Sequence, residues 1–213
     1  DVAPSRGLGD VYKRQIMKQA NIRNFSIIAH IDHGKSTLAD RIMEQTHTVS
    51  ERDKKAQLLD DMAVEQAHGI TVKSRTVRNH YEADDGQTYE YNFIDTPGHV
   101  DFSYEVSKSL AASDGAILLV DATQGVQAQT VANLRLAKQN HLVIIPVINK
   151  VDSDAADVPR TQAQIQKLDP AFENLDMLKI SAKTGMGVHE GLEAIRTTIP
   201  APTGDKKAPL KAL

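Results

Sequence analysis

No cysteine occurs among the 213 residues, so neither a disulfide framework nor a cysteine-based zinc site can form, and the chain reads as intracellular. No apolar run reaches the ~18 residues that a membrane span needs. Residues 1–16 mix charge, Pro and Gly and hold no apolar stretch of signal-peptide length, which excludes a secretion signal there. An excess of one charge is lacking too. The 25 basic and 28 acidic residues leave a net charge of −3, which argues against coating nucleic acid by bulk electrostatics, though a local basic face stays open. No internal repeat is found. What is present, 40% apolar residues in a chain of this length, suffices for one good-sized core.

Met17-Lys18 stands just before the first clear strand, so residues 1–16 are expected to be extraneous or disordered and the main domain to run over residues 17–200. After Pro200 the run Ala-Pro-Thr-Gly-Asp-Lys-Lys-Ala-Pro is linker chemistry, and Leu210 to Leu213 reads as the beginning of another segment. Residues 201–213 are therefore expected to lead into a following domain.

Within 17–200, apolar strands alternate with amphipathic helices, the sign of a mostly parallel sheet covered by helices on both faces. Strands are expected over Asn24 to Ala29, Gly115 to Val120, Leu142 to Ile148 and near Met177 to Ile180. A helix follows the first strand, with Leu38 and Ile42 facing the core at i, i+4. Further helices carry Val106 and Leu110, cross Gln127 to Lys138, run through Gln162 to Lys167, and close with Leu192, Ile195 and Ile199. Period-two alternation over Thr71 to Tyr81 and Thr88 to Ile94 flanks Asp84-Asp85-Gly86, a hairpin signal that makes one strand of six antiparallel. From about His47 to Ile70 the chain is polar and longer than an ordinary connection, hence expected to be mobile or functional.

The chemistry begins between the first strand and first helix. Ala29-His30-Ile31-Asp32-His33-Gly34-Lys35-Ser36-Thr37 fits the phosphate-binding pattern G-x-x-x-x-G-K-[ST] except that Ala29 replaces the first Gly. The pattern works because successive backbone N–H groups and the positive end of a helix surround an anionic phosphate chain. Lys35 is placed to reach the β and γ phosphates, and the Ser36 hydroxyl suits Mg²⁺, a hard cation that prefers phosphate, water and hydroxyl oxygens. Alone, the degenerate pattern could be an ordinary strand-turn-helix. His30 and His33 could be taken as half of a zinc site, but two His at i, i+3 in such a loop, without cysteine, argue against zinc.

Asp95-Thr96-Pro97-Gly98-His99 follows a strand, so Asp95 sits at a strand's carboxyl end, where α/β sheets bind ligands, as a magnesium-side carboxylate. Gly98 could bring its N–H against a γ-phosphate; the plainer reading of Thr96 to Gly98 is a turn. Asn149-Lys150-Val151-Asp152 ends another strand. Asp152 can accept from both guanine N1 and N2, a donor pair that adenine lacks, which favours GTP over ATP. Ser181-Ala182-Lys183, weak alone, can complete the base pocket with a backbone N–H near the guanine oxygen and the Lys183 stem over the ring. The joint order of these segments points to a P-loop NTPase of the guanine-nucleotide (G domain) class.

With these residues on view, A-H-I-D-H-G-K-S-T-L, G-I-T-V-K, F-I-D-T-P-G-H-V-D-F-S-Y-E-V, N-K-V-D and S-A-K-T-G together resemble the translational GTPases, most closely the LepA (elongation factor 4) type, from about Asn21 to Leu213. A BipA-type relative is the neighbouring possibility. The resemblance implies a Mg²⁺-dependent GTP/GDP cycle. It assigns Thr71 to the first switch, closing over Mg²⁺ and the γ-phosphate, His99 to positioning the attacking water, Ile31 and Ile70 to an apolar gate, and Asp32 to the metal-side charge. The chain departs at Glu65-Gln66-Ala67-His68, where the family is usually rich in Arg and Glu. No residue is placed as a built-in arginine finger, with Arg75 and Arg78 left open, so slow intrinsic hydrolysis stimulated by the ribosome, rRNA and ribosomal proteins alike, is expected. The resemblance further implies a cytoplasmic factor active in elongation, including back-translocation and fidelity, with peripheral membrane association that no segment explains. Monomer is the default. Two other readings stand beside it: a GTP/GDP-binding switch module with negligible turnover, and a signalling or transport GTPase, which more often carries Gln at the position of His99.

Overall fold

The computed structural model describes residues 17–46, 74–97 and 103–204. Six strands form one sheet: β1 (Ile22–Ala29), β2 (Arg75–Glu82), β3 (Thr88–Asp95), β4 (Gly115–Asp121), β5 (Val143–Asn149) and β6 (Leu178–Lys179). Their order is β2-β3-β1-β4-β5-β6. Only the β2–β3 pair is antiparallel, while β3, β1, β4, β5 and β6 run parallel. The α/β, mostly parallel, six-stranded sheet expected from the alternation is what the chain forms. The helices are α1 (Lys35–Gln45), α2 (Ser103–Ala111), α3 (Ala128–Gln139), α4 (Val158–Gln166) and α5 (Val188–Thr198).

Alternating residues of the central strands divide between two cores. Phe25 and Ile27 of β1 and Ile117 and Leu119 of β4 pack on one face with Leu38 and Ile42 of α1 and Leu192 and Ile195 of α5. Ile28 of β1 and Leu118 and Val120 of β4 pack on the other with Leu110 of α2, Leu134 of α3 and Ile165 of α4. Every residue of β4 is buried, because a central parallel strand is covered on both faces and so reads as one continuous apolar run. Each fully buried Leu or Ile stabilises the fold by about 1.5–3 kcal/mol relative to exposure.

Three elements differ from the sequence expectation. α4 begins at Val158, four residues before Gln162, because the Asp157 side chain accepts from the Arg160 N–H and Pro159 sits in the first turn, where its lack of an N–H costs nothing. β6 is two residues long: Ile180 donates the last ladder bond, to the Ile148 carbonyl at 2.8 Å, and Ser181 turns away to donate to the Met186 carbonyl at 2.9 Å. α5 closes at Thr198, and Ile199 turns to extended backbone beyond it. The Ile199 side chain lies 2.7 Å from where a β-carbon on residue 115 would stand, so any larger residue at the start of β4 would force Ile199 to move. The hairpin turn falls where expected, with Gly86 N–H donating to the Ala83 carbonyl at 2.9 Å.

The parallel strands bring the ends of β1, β3, β4 and β5 to one edge. Ile27 is level with Asp95, and Asp121 with Asn149. The loops that follow β1, β3, β5 and β6 carry every chemical motif found in the described residues.

Candidate functional site

The loop after β1 ends in Gly34, which caps α1 with a left-handed backbone (φ 92°). A β-carbon there would collide with the Asn149 side-chain amide. Two constraints, backbone sign and space, therefore require glycine at this position. Asp32 in the same loop is also left-handed (φ 61°) without that freedom. α1 has no side-chain cap at its N-terminus, so the N–H groups of its first turn have no side-chain oxygen from Gly34 and present partial positive charge to the edge of the cleft.

Lys35 opens α1, almost wholly buried, and its ammonium donates to Asp95 Oδ1 at 2.6 Å. Asp95, at the end of β3, is fully buried. Thr96 Oγ1 donates to the Ile27 carbonyl at 2.7 Å and fastens the start of the Asp-Thr-Pro loop onto β1. A buried carboxylate is tolerable only with a charged partner and further donors, and the Lys35 ammonium is that partner. Ser36 and Asp95 supply only oxygens, the donor chemistry that a hard divalent ion takes. Among the described residues no group of three or more His, Cys, Asp or Glu could hold a metal. A hydroxyl and a carboxylate beside a phosphate-binding loop fit Mg²⁺, which keeps waters and phosphate oxygens in its shell rather than requiring an all-protein cage.

The other half of the cleft is built by Asn149. Its Nδ2 donates to the His33 carbonyl at 2.9 Å, and its Oδ1 accepts from the Ala182 N–H at 3.0 Å. One buried side chain thus ties the phosphate loop, the end of β5 and the Ser-Ala-Lys loop together. Lys150, left-handed at φ 60°, donates from Nζ to the Asp32 carbonyl at 2.6 Å and lies 2.8 Å from Asp121 Oδ2. Gly34, Thr37, Asn149, Lys150, Asp152, Ala182 and Lys183 line an open cleft of about 520 Å³. Asp152 and Lys183 stand exposed at its rim, while Ser181 is buried and orders its loop by accepting from the Thr184 N–H at 3.1 Å. Val151 is half-buried and packs against the apolar core on the α4 side of the sheet. Thr71, Gly98, His99 and Ile70 lie outside the described residues.

His33 is fully buried. Its Nδ1 is 3.3 Å from the Asp121 N–H, which donates to it, and 3.5 Å from the Leu119 carbonyl. Burial lowers its pKa to about 4, outweighing the Leu119 carbonyl and the Asp121 carboxylate, which act the other way. The ring is therefore neutral at pH 7, held edge-on to His30 with centroids 5.2 Å apart.

Two residues that the motifs do not name shape the cleft. Arg41 of α1 donates to the carbonyls of Ala182 (2.9 Å) and Lys183 (2.7 Å), anchoring the Ser-Ala-Lys loop from below. Its only sequence signal is a cation one turn beyond the phosphate loop. Asp121 closes β4, and its signal is an acidic residue directly after a fully apolar strand.

The Elongation factor Tu GTP binding domain model matches residues 20–201. The chain belongs to that family. It is 70% identical over 197 residues to "Elongation factor 4 2" of Lactiplantibacillus plantarum, covering 92% of the chain and 33% of that protein. It is 58% identical over 200 residues to "Elongation factor 4" of Aquifex aeolicus, covering 92% of the chain and 33% of that relative. With "Elongation factor 4" of Latilactobacillus sakei it shares 56% identity over 202 residues, 95% of the chain and 33% of the relative. The chain thus spans about a third of the length of the curated relatives it matches.

Proposed function

We propose that the cleft binds GTP and GDP with Mg²⁺ and that the chain is the nucleotide-hydrolysing part of an elongation factor 4, a GTPase stimulated by the ribosome. The observation that carries this reading is Asn149, whose amide joins the phosphate loop and the Ser-Ala-Lys loop into one cleft lined by Asp152 and Lys183. On this reading the N–H groups around Asp32, His33, Gly34 and Thr37 hold the phosphates and Lys35 meets the β and γ oxygens. Asp152 accepts from guanine N1 and N2, with the Lys183 stem against the ring. Ser36 and Asp95, with Thr71, would hold Mg²⁺, which would supply positive charge against the charge that develops on the phosphate oxygens. Gly98 offers its N–H to the γ-phosphate, His99 orients the attacking water, and Asp32 adds to the charge balance on the metal side.

The same reading makes the protein a monomeric factor of the cytoplasm that meets rRNA and ribosomal proteins. The peripheral membrane contact that the resemblance brings with it draws on no described residue. The test is Mg²⁺-dependent hydrolysis of GTP, with ATP as control, with and without 70S ribosomes. GTP-selective turnover raised by ribosomes is expected; equal use of ATP overturns the base-pocket assignment. A second reading is a switch module that binds guanine nucleotide with negligible turnover. Tight GTP binding without stimulation would select it.

A further inference from the structure

Asp121 has no role in the nucleotide contacts above, yet three loops meet on it: those after β1, β4 and β5. It is fully buried at the end of β4. Its Oδ1 accepts from the Thr123 N–H at 2.7 Å and the Thr123 hydroxyl at 2.8 Å, and its Oδ2 faces the Lys150 ammonium at 2.8 Å. Its own N–H donates to the His33 ring, and its carbonyl accepts from the Gly125 N–H at 2.8 Å. A buried carboxylate is costly unless charge and hydrogen bonds offset it. Burial by itself would raise its pKa, but the Lys150 ammonium and the two Thr123 donors prevail and hold it below the ordinary carboxylate range.

Lys150 has a different problem. Its side chain is 37% exposed, and its backbone is left-handed, a conformation that strains a non-glycine residue. Asp32, whose carbonyl it reaches, is left-handed as well. A long, partly solvated lysine has no intrinsic reason to hold one direction, since ordering it costs rotamer entropy. The fixed anion at 2.8 Å supplies that reason. The Asp32–Lys150–Asp121 chain therefore runs from the phosphate loop to the base-side loop and ends on the sheet itself.

We infer that Asp121 is a positioning residue for nucleotide retention: its carboxylate aims Lys150 at the Asp32 carbonyl, clamps the two loops together, and so sets how slowly guanine nucleotide leaves. This rests on the cleft being a guanine-nucleotide site. Asp121 touches no nucleotide atom; it acts through Lys150, and removing its charge frees the lysine and loosens a joint between the two loops that the Asn149 amide otherwise shares.

The test is release of a fluorescent N-methylanthraniloyl-GDP, chased with excess GDP, from the 213-residue chain as wild type, D121N, K150M and the double variant, with thermal melting on each. D121N is expected to speed release roughly tenfold in the wild-type background and less than about twofold in the K150M background, because a charge-assisted contact is lost only where its partner exists. A purely structural role for Asp121, holding the turn to Thr123, would speed release equally in both backgrounds and overturns the inference, as does D121N releasing at the wild-type rate. Should D121N be unfolded at the assay temperature, T123V, which removes only one donor to the carboxylate, takes its place in the cycle. It is expected to speed release about threefold in the wild-type background alone; no change, or the same change in both backgrounds, overturns the inference. Failure of the wild type to bind the fluorescent GDP is a separate result that removes the guanine reading beneath it.

Discussion

Asn149 donates its side-chain amide to the His33 carbonyl over 2.9 Å, joining residues 116 positions apart in sequence. The same amide accepts from Ala182, so neither loop can shift without breaking a bond at Asn149. This side chain is a structural part of the cleft before any ligand enters it.

Asn149→Ala should therefore cost both stability and binding. It leaves the His33 carbonyl and the Ala182 N–H without their partner in a buried setting, each worth about 1–3 kcal/mol. Urea unfolding is expected to show a loss of about 2–4 kcal/mol, with GDP affinity at least tenfold weaker. An unchanged midpoint together with unchanged affinity would remove Asn149 from its bridging role.

Asp152→Asn tests the base reading. The carboxylate stands at the rim of the cleft, and on the proposed function it accepts from two guanine donors. An amide in its place can donate to the extra carbonyl of xanthine, so competition binding should shift from GDP toward xanthosine diphosphate by about two orders of magnitude. Retained guanine selectivity would take Asp152 out of the base pocket.

His99 lies outside the described residues, and its role rests on the resemblance of Asp95-Thr96-Pro97-Gly98-His99 to the translational GTPases. His99→Ala is expected to leave GTP affinity near normal and to cut ribosome-stimulated hydrolysis by about two to three orders of magnitude, as loss of one positioning group does. Single-turnover rates on ribosomes decide the matter: an intact stimulated rate in the variant sinks the assignment.

Much of this fold was legible because a strand covered on both faces must be a continuous apolar run, and Gly115 to Val120 and Leu142 to Ile148 are such runs. The hairpin was legible from Asp84-Asp85-Gly86. α4 began earlier than the periodicity suggested because Pro159 carries a stop signal in most settings and an initiation signal only when a cap such as Asp157 precedes it. β6 is short because the backbone leaves β5 just past Ile180: Ser181 donates its N–H to the Met186 carbonyl at 2.9 Å rather than to β5. At the site, contiguous motifs announced the residues within one loop. Arg41 and Asp121 carried only faint signals because their partners, Ala182 and Lys150, are 141 and 29 positions away and meet them only through the fold.

The buried neutral His33 makes stability depend on acid. Its folded pKa of about 4 lies below the ordinary 6.5 of the unfolded chain, so the unfolded state binds the proton more readily and stability rises with pH between those values. Above about pH 6.5 both states are neutral and the penalty is absent. As pH falls from about 6.5 toward 4, the unfolded state is favoured progressively, and at pH 5.5 the loss is roughly 1 kcal/mol. Lys150 and His30 oppose protonation; Asp121 favours it without prevailing over burial. The Asp121 N–H adds a local reason, since it donates to Nδ1 and a protonated ring could no longer accept. Urea midpoints measured at pH 7.5 and 5.5 should differ by more in the wild type than in His33→Gln, whose amide oxygen can accept from Asp121 at either pH. An identical pH dependence in the two proteins would assign the acid sensitivity to other groups and show that His33 does not hold a depressed pKa in the folded chain.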